Sequence, residues 1–130
     1  MKAVLVVDDN TAVRMVLTDI LTMAYPTARV LQAENGADGL ALAQAEQPDL
    51  VLMDAEMPVL DGFAAAKKMR QAHETKSIPI IAISSGASNN ELVTGLRSLA
   101  DSSLPKPFTA DDLFQTVSRV MSRRTMVLSH

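Results

Sequence analysis

Short apolar runs alternate with amphipathic helical segments five times along this chain, and this alternation constrains the fold more than any other feature. The apolar runs, which we predict to be strands, lie at about 2–7, 29–33, 49–53, 78–83 and 103–104. The helical segments that follow them lie at about 11–23, 37–44, 62–72, 90–100 and 109–123. Strands that alternate with helices are typical of βαβ units, so the sequence predicts an α/β domain built on a parallel sheet.

Three acidic residues follow two of the predicted buried strands, at the point where each strand ends. Asp8 and Asp9 come directly after the first apolar run, and Asp54 comes directly after the third. Because the carboxyl ends of parallel strands meet at one rim of the sheet, we expect these carboxylates to lie together. Clustered like charges repel one another unless a cation sits among them, so the cluster predicts a site for a hard divalent ion, Mg²⁺ above all.

The composition limits the class of protein. The chain has 130 residues, of which 48% are hydrophobic and only 3% aromatic, so one domain with an aliphatic and methionine core is expected. A formal net charge of -3 argues against a general nucleic-acid-binding surface. The absence of cysteine excludes disulfides and thiolate metal sites. We find neither a signal-peptide pattern nor an apolar run of membrane-spanning length, and we therefore expect a cytoplasmic location.

Four separate motifs extend the pattern in chain order. They are Asp8-Asp9, then Asp54-Ala55-Glu56-Met57-Pro58 with Asp61-Gly62, then Ser84, then Lys106-Pro107-Phe108. With these motifs the chain resembles a response-regulator receiver domain over about residues 2–123. The resemblance implies a flavodoxin-like (βα)5 fold, with a five-stranded parallel sheet in the order 2-1-3-4-5 and helices on both faces. It divides the chain into a receiver domain at 1–124 and a short C-terminal tail at 125–130.

The resemblance also implies roles for the acidic residues. Asp54 is the expected phosphoacceptor, a carboxylate nucleophile that would form an acyl phosphate. Asp9 is expected to bind Mg²⁺ directly, with Asp8 binding it through water or holding it indirectly. Asp54 and the backbone carbonyl of Glu56 would supply further oxygen ligands, and Mn²⁺ is an alternative metal. The metal would neutralise charge on the acids and on the transferred phosphoryl group.

Two further residues are expected to contact the phosphoryl group. The ammonium of Lys106 would contact it from the side opposite the metal, and the Lys106–Pro107 bond is expected to be cis. Ser84 would donate its hydroxyl proton to a phosphoryl oxygen once Asp54 is modified.

Simpler interpretations of the same residues stay open at this stage. Asp8 and Asp9 could cap the first helix, Ser84 could be a turn former, and Lys106 could be a solvated loop charge. Asp61-Gly62 is interpreted as structural, a turn that leads into the third helix.

Some positions depart from the family's pattern. Ser103 stands where many receivers carry Tyr or Phe, so we hypothesise that phosphorylation is read out through the loop after strand four or through the helix-four surface. Glu56 and Gly86 would flank the path of an attacking water and thereby influence how long the phosphoryl group persists. Leu99 replaces a glycine that is common at the end of helix four, which removes a favourable C-terminal cap.

The function implied by the resemblance is a phosphorylation-controlled signalling switch and not a turnover enzyme. A sensor histidine kinase or a histidine phosphotransfer protein would phosphorylate Asp54. The helix 4–strand 5–helix 5 surface would then bind a downstream protein target or a second copy, without direct contact to nucleic acid or membrane. The chain is expected to be either a single-domain regulator or a fragment of a longer protein.

Three other functions compete with the switch. A receiver fold kept only as an interaction module is favoured by Ser103 and opposed by the intact acidic cluster. A haloacid-dehalogenase-like phosphatase would need Asp-x-Asp after strand one, where this chain has Asp8-Asp9-Asn10. A flavodoxin-like FMN carrier would need a phosphate-binding loop rich in Ser, Thr and Gly at that place, and Asp8-Asp9-Asn10 would repel phosphate without a metal.

Overall fold

The computed structural model describes residues 1–85 and 90–128 of the chain, with side chains described up to residue 123. Within these residues, five strands and five helices alternate. The elements are β1 (Ala3–Val7), α1 (Thr11–Ala24), β2 (Arg29–Ala33), α2 (Gly36–Glu46), β3 (Leu50–Asp54), α3 (Gly62–Gln71), β4 (Ile80–Ser85), α4 (Glu91–Leu99), β5 (Ser102–Lys106) and α5 (Ala110–Leu128). Among these described elements, no helix combines the length and the apolar character that crossing a membrane requires.

The strands form one parallel sheet in the order β2-β1-β3-β4-β5, which confirms the predicted topology. The central strands β1 and β3 are buried along their whole length, as their continuous apolar sequences predict. The order reverses next to β1, which pairs with β2 on one side and β3 on the other. In sheets of this kind the ligand site lies beyond the carboxyl ends of the strands at such a reversal.

Alternate residues of each central strand point into two separate cores. In β1, Leu5 and Val7 belong to the core under α2, α3 and α4, whereas Val4 and Val6 belong to the core under α1 and α5. The helices fill these cores mainly with aliphatic residues and methionine, because the chain has so few aromatic side chains. One residue of the apolar stripe on α1, Val16, is 54% exposed, since the stripe is wider than the face that packs against the sheet.

Asparagine and aspartate side chains begin the first four helices. The side-chain oxygens of Asn10, Asn35, Asp61 and Asn90 each accept a hydrogen bond from the backbone N–H three residues later, at 2.8–3.1 Å. Helix α5 begins with a reciprocal cap, in which Asp112 Oδ2 accepts the Thr109 N–H at 2.9 Å and Thr109 Oγ1 accepts the Asp112 N–H at 3.0 Å. Asn10, and neither Asp8 nor Asp9, therefore caps α1, which leaves the two acids available for another role.

Several element boundaries differ from the sequence-based expectation. Strand β4 is Ile80–Ser85 and not 78–83, helix α2 ends at Glu46 and not at 44, and β5 and α5 both extend beyond their predicted ends. Strand β5 runs to Lys106 because Ser102–Lys106 pairs with β4 along its whole length, which the short polar sequence of β5 does not reveal. Pro105 is accommodated because β5 is an edge strand. Helix α5 continues to Leu128 and so includes most of the expected tail, since no proline or glycine interrupts residues 124–128. The division of the chain at residue 124 stays a prediction.

The end of α4 is held by an arginine from α3 in place of a glycine cap. The Arg70 guanidinium donates to the carbonyl oxygen of Leu99 through Nε at 3.2 Å and Nη2 at 3.1 Å. It also donates to the carbonyl oxygens of Lys76 and Ile78 and to Asp101 Oδ2. One side chain thus ties the ends of α3 and α4 to the segment that leads into β4. These hydrogen bonds compensate for the glycine cap that is missing at Leu99.

Replacing Arg70 with methionine is expected to lower the free energy of unfolding by about 2–4 kcal/mol, because several part-buried acceptors lose a charged donor at once. Urea unfolding followed by circular dichroism measures the loss. The matched control is Arg119→Met, because Arg119 is exposed and makes no hydrogen bond or ion pair within the described residues. Equal losses in the two variants would contradict the bridging role of Arg70.

Candidate functional site

A cleft of about 220 Å³ lies at the carboxyl ends of the central strands. The fold positions its polar side chains directly: Asp8 follows β1, Asp54 ends β3, Ser84 lies near the end of β4, and Lys106 ends β5. The cleft is lined by Asp8, Asp9, Asn10, Asp54, Ala55, Glu56, Ser84, Ser85 and Lys106. All five residues whose side chains were predicted to form the site, together with Glu56, are therefore brought together.

The three acids form a cluster that suits a small divalent cation. One carboxylate oxygen from each of Asp8, Asp9 and Asp54 lies within 4.8 Å of the others. Opposite ligands of an octahedral Mg²⁺ ion are about 4 Å apart, so small side-chain adjustments bring these oxygens into its coordination range. Asp8 and Asp54 are buried whereas Asp9 is exposed, so the cluster opens to solvent on the Asp9 side. The residues present fit a hard metal ion with oxygen ligands.

Asp8 is held in place by four hydrogen bonds. Its Oδ1 accepts the backbone N–H of Asn10 at 2.9 Å, and its Oδ2 accepts from Lys106 Nζ at 3.3 Å. Its backbone carbonyl accepts from Arg14 Nη1 at 2.8 Å, and its own N–H donates to the Ala33 carbonyl at 3.1 Å. A fully buried carboxylate is tolerated here because it is paired and hydrogen-bonded.

The pKa of Asp54 is raised to about 6, because its carboxylate is buried next to other negative charges. Burial is the largest cause, followed by the nearby negative charge of Asp8, while Asp9 raises the pKa further. Lys106 and the backbone N–H of Glu56 act in the opposite direction and lower the pKa. A cation among the carboxylates would favour the ionised form of Asp54, which is the nucleophilic form.

The Asp61-Gly62 pair shapes the start of α3, where this helix meets the end of β3. Asp61 caps α3 by accepting from the Ala64 N–H at 2.8 Å, which confirms its structural interpretation. Gly62 donates its N–H to the Ala55 carbonyl at 2.9 Å, and a Cβ at Gly62 would lie only 2.0 Å from the carbonyl oxygen of Asp54. The absence of a side chain at position 62 therefore lets α3 begin directly against the end of β3.

Ser84 and Lys106 lie on the β4–β5 side of the cleft. Ser84 is 3% exposed, and its Oγ accepts a hydrogen bond from Arg97 Nη2 at 3.2 Å. The Lys106 side chain is 28% exposed and pairs with Asp8, and the Lys106–Pro107 bond is cis as predicted. Lys106 is therefore not a solvated loop charge, and Ser84 lies in a strand and not in a turn.

Two contacts to α4 escaped the sequence analysis. One is the Arg97–Ser84 hydrogen bond, and the other joins Asn90 Nδ2 to Glu56 Oε1 at 2.8 Å. The sequence offered one signal for the Arg97 contact. Arg97 directly follows the buried Leu96 and lies four residues after the buried Val93, which puts the arginine at the border of the buried helix face. Gly86 lies outside the described residues, and Ser103 is exposed on β5 opposite Ala82.

Comparison with known proteins identifies the family. Residues 4–118 match the model of the response regulator receiver domain. Protein PilH of Pseudomonas aeruginosa is 38% identical over 122 residues, which are 94% of this chain and 99% of that protein. The DNA-binding transcriptional regulator RpaA of Synechocystis is 34% identical over 96% of this chain, which spans about half (51%) of that protein.

Solved structures agree with this assignment. The Vibrio cholerae chemotaxis protein CheY4 superposes with a TM-score of 0.81 at 31% identity, covering 92% of this chain and 98% of that one. The receiver domain of a Pseudomonas aeruginosa sensor histidine kinase, solved with a magnesium ion coordinated in its active-site cleft, gives a TM-score of 0.84 at 27% identity. That match covers 93% of this chain and 98% of the other. The chain therefore belongs to the response regulator receiver domains of two-component signalling, whose members are phosphoacceptors.

Asp54→Asn is expected to raise the free energy of unfolding by about 2 kcal/mol at pH 7 in EDTA, because the raised pKa means that folding disfavours the charged carboxylate. A carboxyl with a raised pKa destabilises the folded state fully above the folded pKa of about 6, and this effect vanishes as the pH falls below the unfolded value near 3.8. The advantage of the variant should therefore shrink between pH 7 and pH 4.

Urea unfolding at pH 7, 5.5 and 4 measures this dependence, with the exposed Asp19→Asn as the control for loss of one surface charge. Added Mg²⁺ should reduce the difference at pH 7 by stabilising the wild-type protein alone. A stability difference that does not vary with pH would contradict the assigned cause.

Proposed function

We propose that this receiver domain is a Mg²⁺-dependent switch that is phosphorylated on Asp54. The observation that carries the proposal is that Asp54 shares the cleft with two other carboxylates and with Lys106, the only cation among the residues that line it. Asp9, Asp54 and the Glu56 backbone carbonyl would bind the metal directly, and Asp8 would hold it directly or through water. When bound, the metal would neutralise charge on the carboxylates and on the phosphoryl oxygens.

The chemistry is transfer of a phosphoryl group from a phosphohistidine to a carboxylate. An Asp54 oxygen attacks the phosphorus, a P–O bond forms, and the P–N bond breaks with its electron pair passing to the imidazole nitrogen. Lys106 exchanges its contact with Asp8 for a phosphoryl oxygen, since an ammonium on a flexible stem reaches both. Attack of water on phosphorus later releases inorganic phosphate and restores the Asp54 carboxylate.

The donor is a sensor histidine kinase or a histidine phosphotransfer protein in the cytoplasm. Conversion of the Asp54 carboxylate (charge -1) to an acyl phosphate (charge of about -2) adds a net charge of about -1. This change shifts the domain between two conformations of the surface formed by α4, β5 and α5. That surface then binds a downstream protein target or a second copy of the chain. The domain assists its own phosphorylation and dephosphorylation without turning over a substrate.

A second candidate, a receiver fold that serves only as an interaction module, is favoured by one observation. Ser103 places a small, exposed side chain on β5 and offers no ring that could turn inward. Such a module would bind its partner equally well with and without phosphorylation.

Intact mass after incubation with acetyl phosphate and Mg²⁺ tests the proposal. We expect the wild-type protein to gain one phosphoryl group, about 80 Da, because the ionised Asp54 is the nucleophile. The gain should be absent in Asp54→Ala and in EDTA, and retained in the surface control Asp19→Ala. A gain that survives Asp54→Ala would refute Asp54 as the acceptor, and no gain in any sample would favour the interaction module.

A further inference from the structure

Arg97 connects α4 to the cleft through the Ser84 hydroxyl. It lies at the border of the α4 face that packs on the sheet, next to the fully buried Leu96. Its Nη2 donates to Ser84 Oγ at 3.2 Å, and its Nε is buried without a hydrogen-bond partner. A guanidinium directed inward from a surface helix, with one donor used and another unsatisfied, requires an explanation beyond surface solvation.

The direction of the Arg97–Ser84 bond determines where the Ser84 proton is free to go. Arginine carries donors and no acceptor, so Ser84 Oγ must be the acceptor in this pair. Its own proton then remains for another partner, and none of the hydrogen bonds among the described residues uses it. Because Ser84 lines the same cleft as Asp54, a phosphoryl oxygen on Asp54 is an acceptor for that proton.

The two hydrogen bonds would strengthen each other. Donation from a charged guanidinium polarises the Ser84 hydroxyl and makes it a better donor, and a low-dielectric site increases this effect. The unpartnered Nε shows that the arrangement without a phosphoryl group leaves Arg97 incompletely satisfied, at a cost that a shift of the helix could relieve. Both effects favour movement of Arg97 and α4 together with Ser84.

A second polar contact ties the N-terminus of α4 to the same cleft. Asn90 caps the helix by accepting from the Val93 N–H at 3.0 Å and donates its side-chain amide to Glu56 Oε1 at 2.8 Å. Glu56 is two residues after Asp54. Helix α4 therefore contacts both the β3 side and the β4 side of the cleft through polar side chains.

We propose that Arg97 is a positioning residue, which orients the Ser84 hydroxyl toward a phosphoryl group on Asp54 and transmits the displacement of Ser84 to α4. The inference rests on the proposed phosphorylation of Asp54. It identifies α4, through Arg97, as the first element outside the cleft to respond to the modification.

Two readouts test the inference in wild type, Arg97→Met, Ser84→Ala and the double variant. Intact mass with acetyl phosphate and Mg²⁺ measures modification of Asp54, and backbone amide NMR with beryllofluoride and Mg²⁺ measures the response of residues 91–99. Arg97→Met should still be modified, at a rate reduced by about 3- to 10-fold, the equivalent of one hydrogen bond. Its α4 shift changes should fall to less than half of the wild-type values.

The double variant shows whether the two residues act as one unit. Ser84→Ala should reduce the α4 response as much as Arg97→Met does, and combining them should reduce it no further. Arg97→Lys keeps the charge and a donor, and it should restore at least half of the wild-type response. Arg119→Met, the control for loss of an exposed arginine, should respond like the wild type.

The outcomes separate the inference from the proposed function. If the wild-type protein gains no phosphoryl group, both are overturned. If the wild type is modified but Arg97→Met and Arg97→Lys keep a full α4 response, or if the effects of Arg97→Met and Ser84→Ala add, only the inference is overturned. Thermal unfolding of each variant identifies one that fails to fold. If Arg97→Met does, Arg97→Gln, which removes the charge and shortens the side chain, replaces it with the same expected loss, and a full α4 response in Arg97→Gln overturns the inference.

Discussion

Repulsion among three carboxylates at one rim of the sheet is the constraint on which the rest of the site depends. Asp8, Asp9 and Asp54 have oxygens within 4.8 Å of one another, and two of the three side chains are buried. Such an arrangement persists only because the sheet and its two helix layers fix the ends of β1 and β3. The ammonium of Lys106 offsets part of the negative charge by pairing with Asp8. The repulsion that remains, together with burial, raises the pKa of Asp54.

The same rim is connected to one helix more closely than to the others. Contacts from Asn90 to Glu56 and from Arg97 to Ser84 link α4 to both sides of the cleft, while Arg70 holds the end of α4 against α3. A charge added at Asp54 therefore acts on groups that already touch α4. These contacts agree with the hypothesis that the α4 surface reads out phosphorylation. Strand β5 carries the small Ser103 at the position where many receivers have an aromatic ring.

Much of the fold and the cleft could be predicted from the sequence because both follow from local patterns. Continuous apolar runs identified β1 and β3, and polar residues at their ends identified Asp8, Asp9 and Asp54. Sequence patterns predicted the elements less well where strand pairing decides the structure. Strand β5 extends to Lys106 because β4 supplies its hydrogen-bond partners, although the sequence of β5 is short and polar. Helix α5 extends beyond its predicted end because residues 124–128 contain no proline or glycine that would interrupt a helix.

The sequence by itself determined the alternation of strands and helices, the sheet order through the family resemblance, and the membership of the cleft, because these depend on residue type and spacing along the chain. Only the tertiary structure decided that Asn10 and not Asp8 or Asp9 caps α1, that Lys106 pairs with Asp8, and that Arg97 reaches Ser84. The physical reason is that these contacts depend on backbone direction and on side-chain reach between elements. Residues 97 and 84, or 106 and 8, come together only after the sheet and helices have packed.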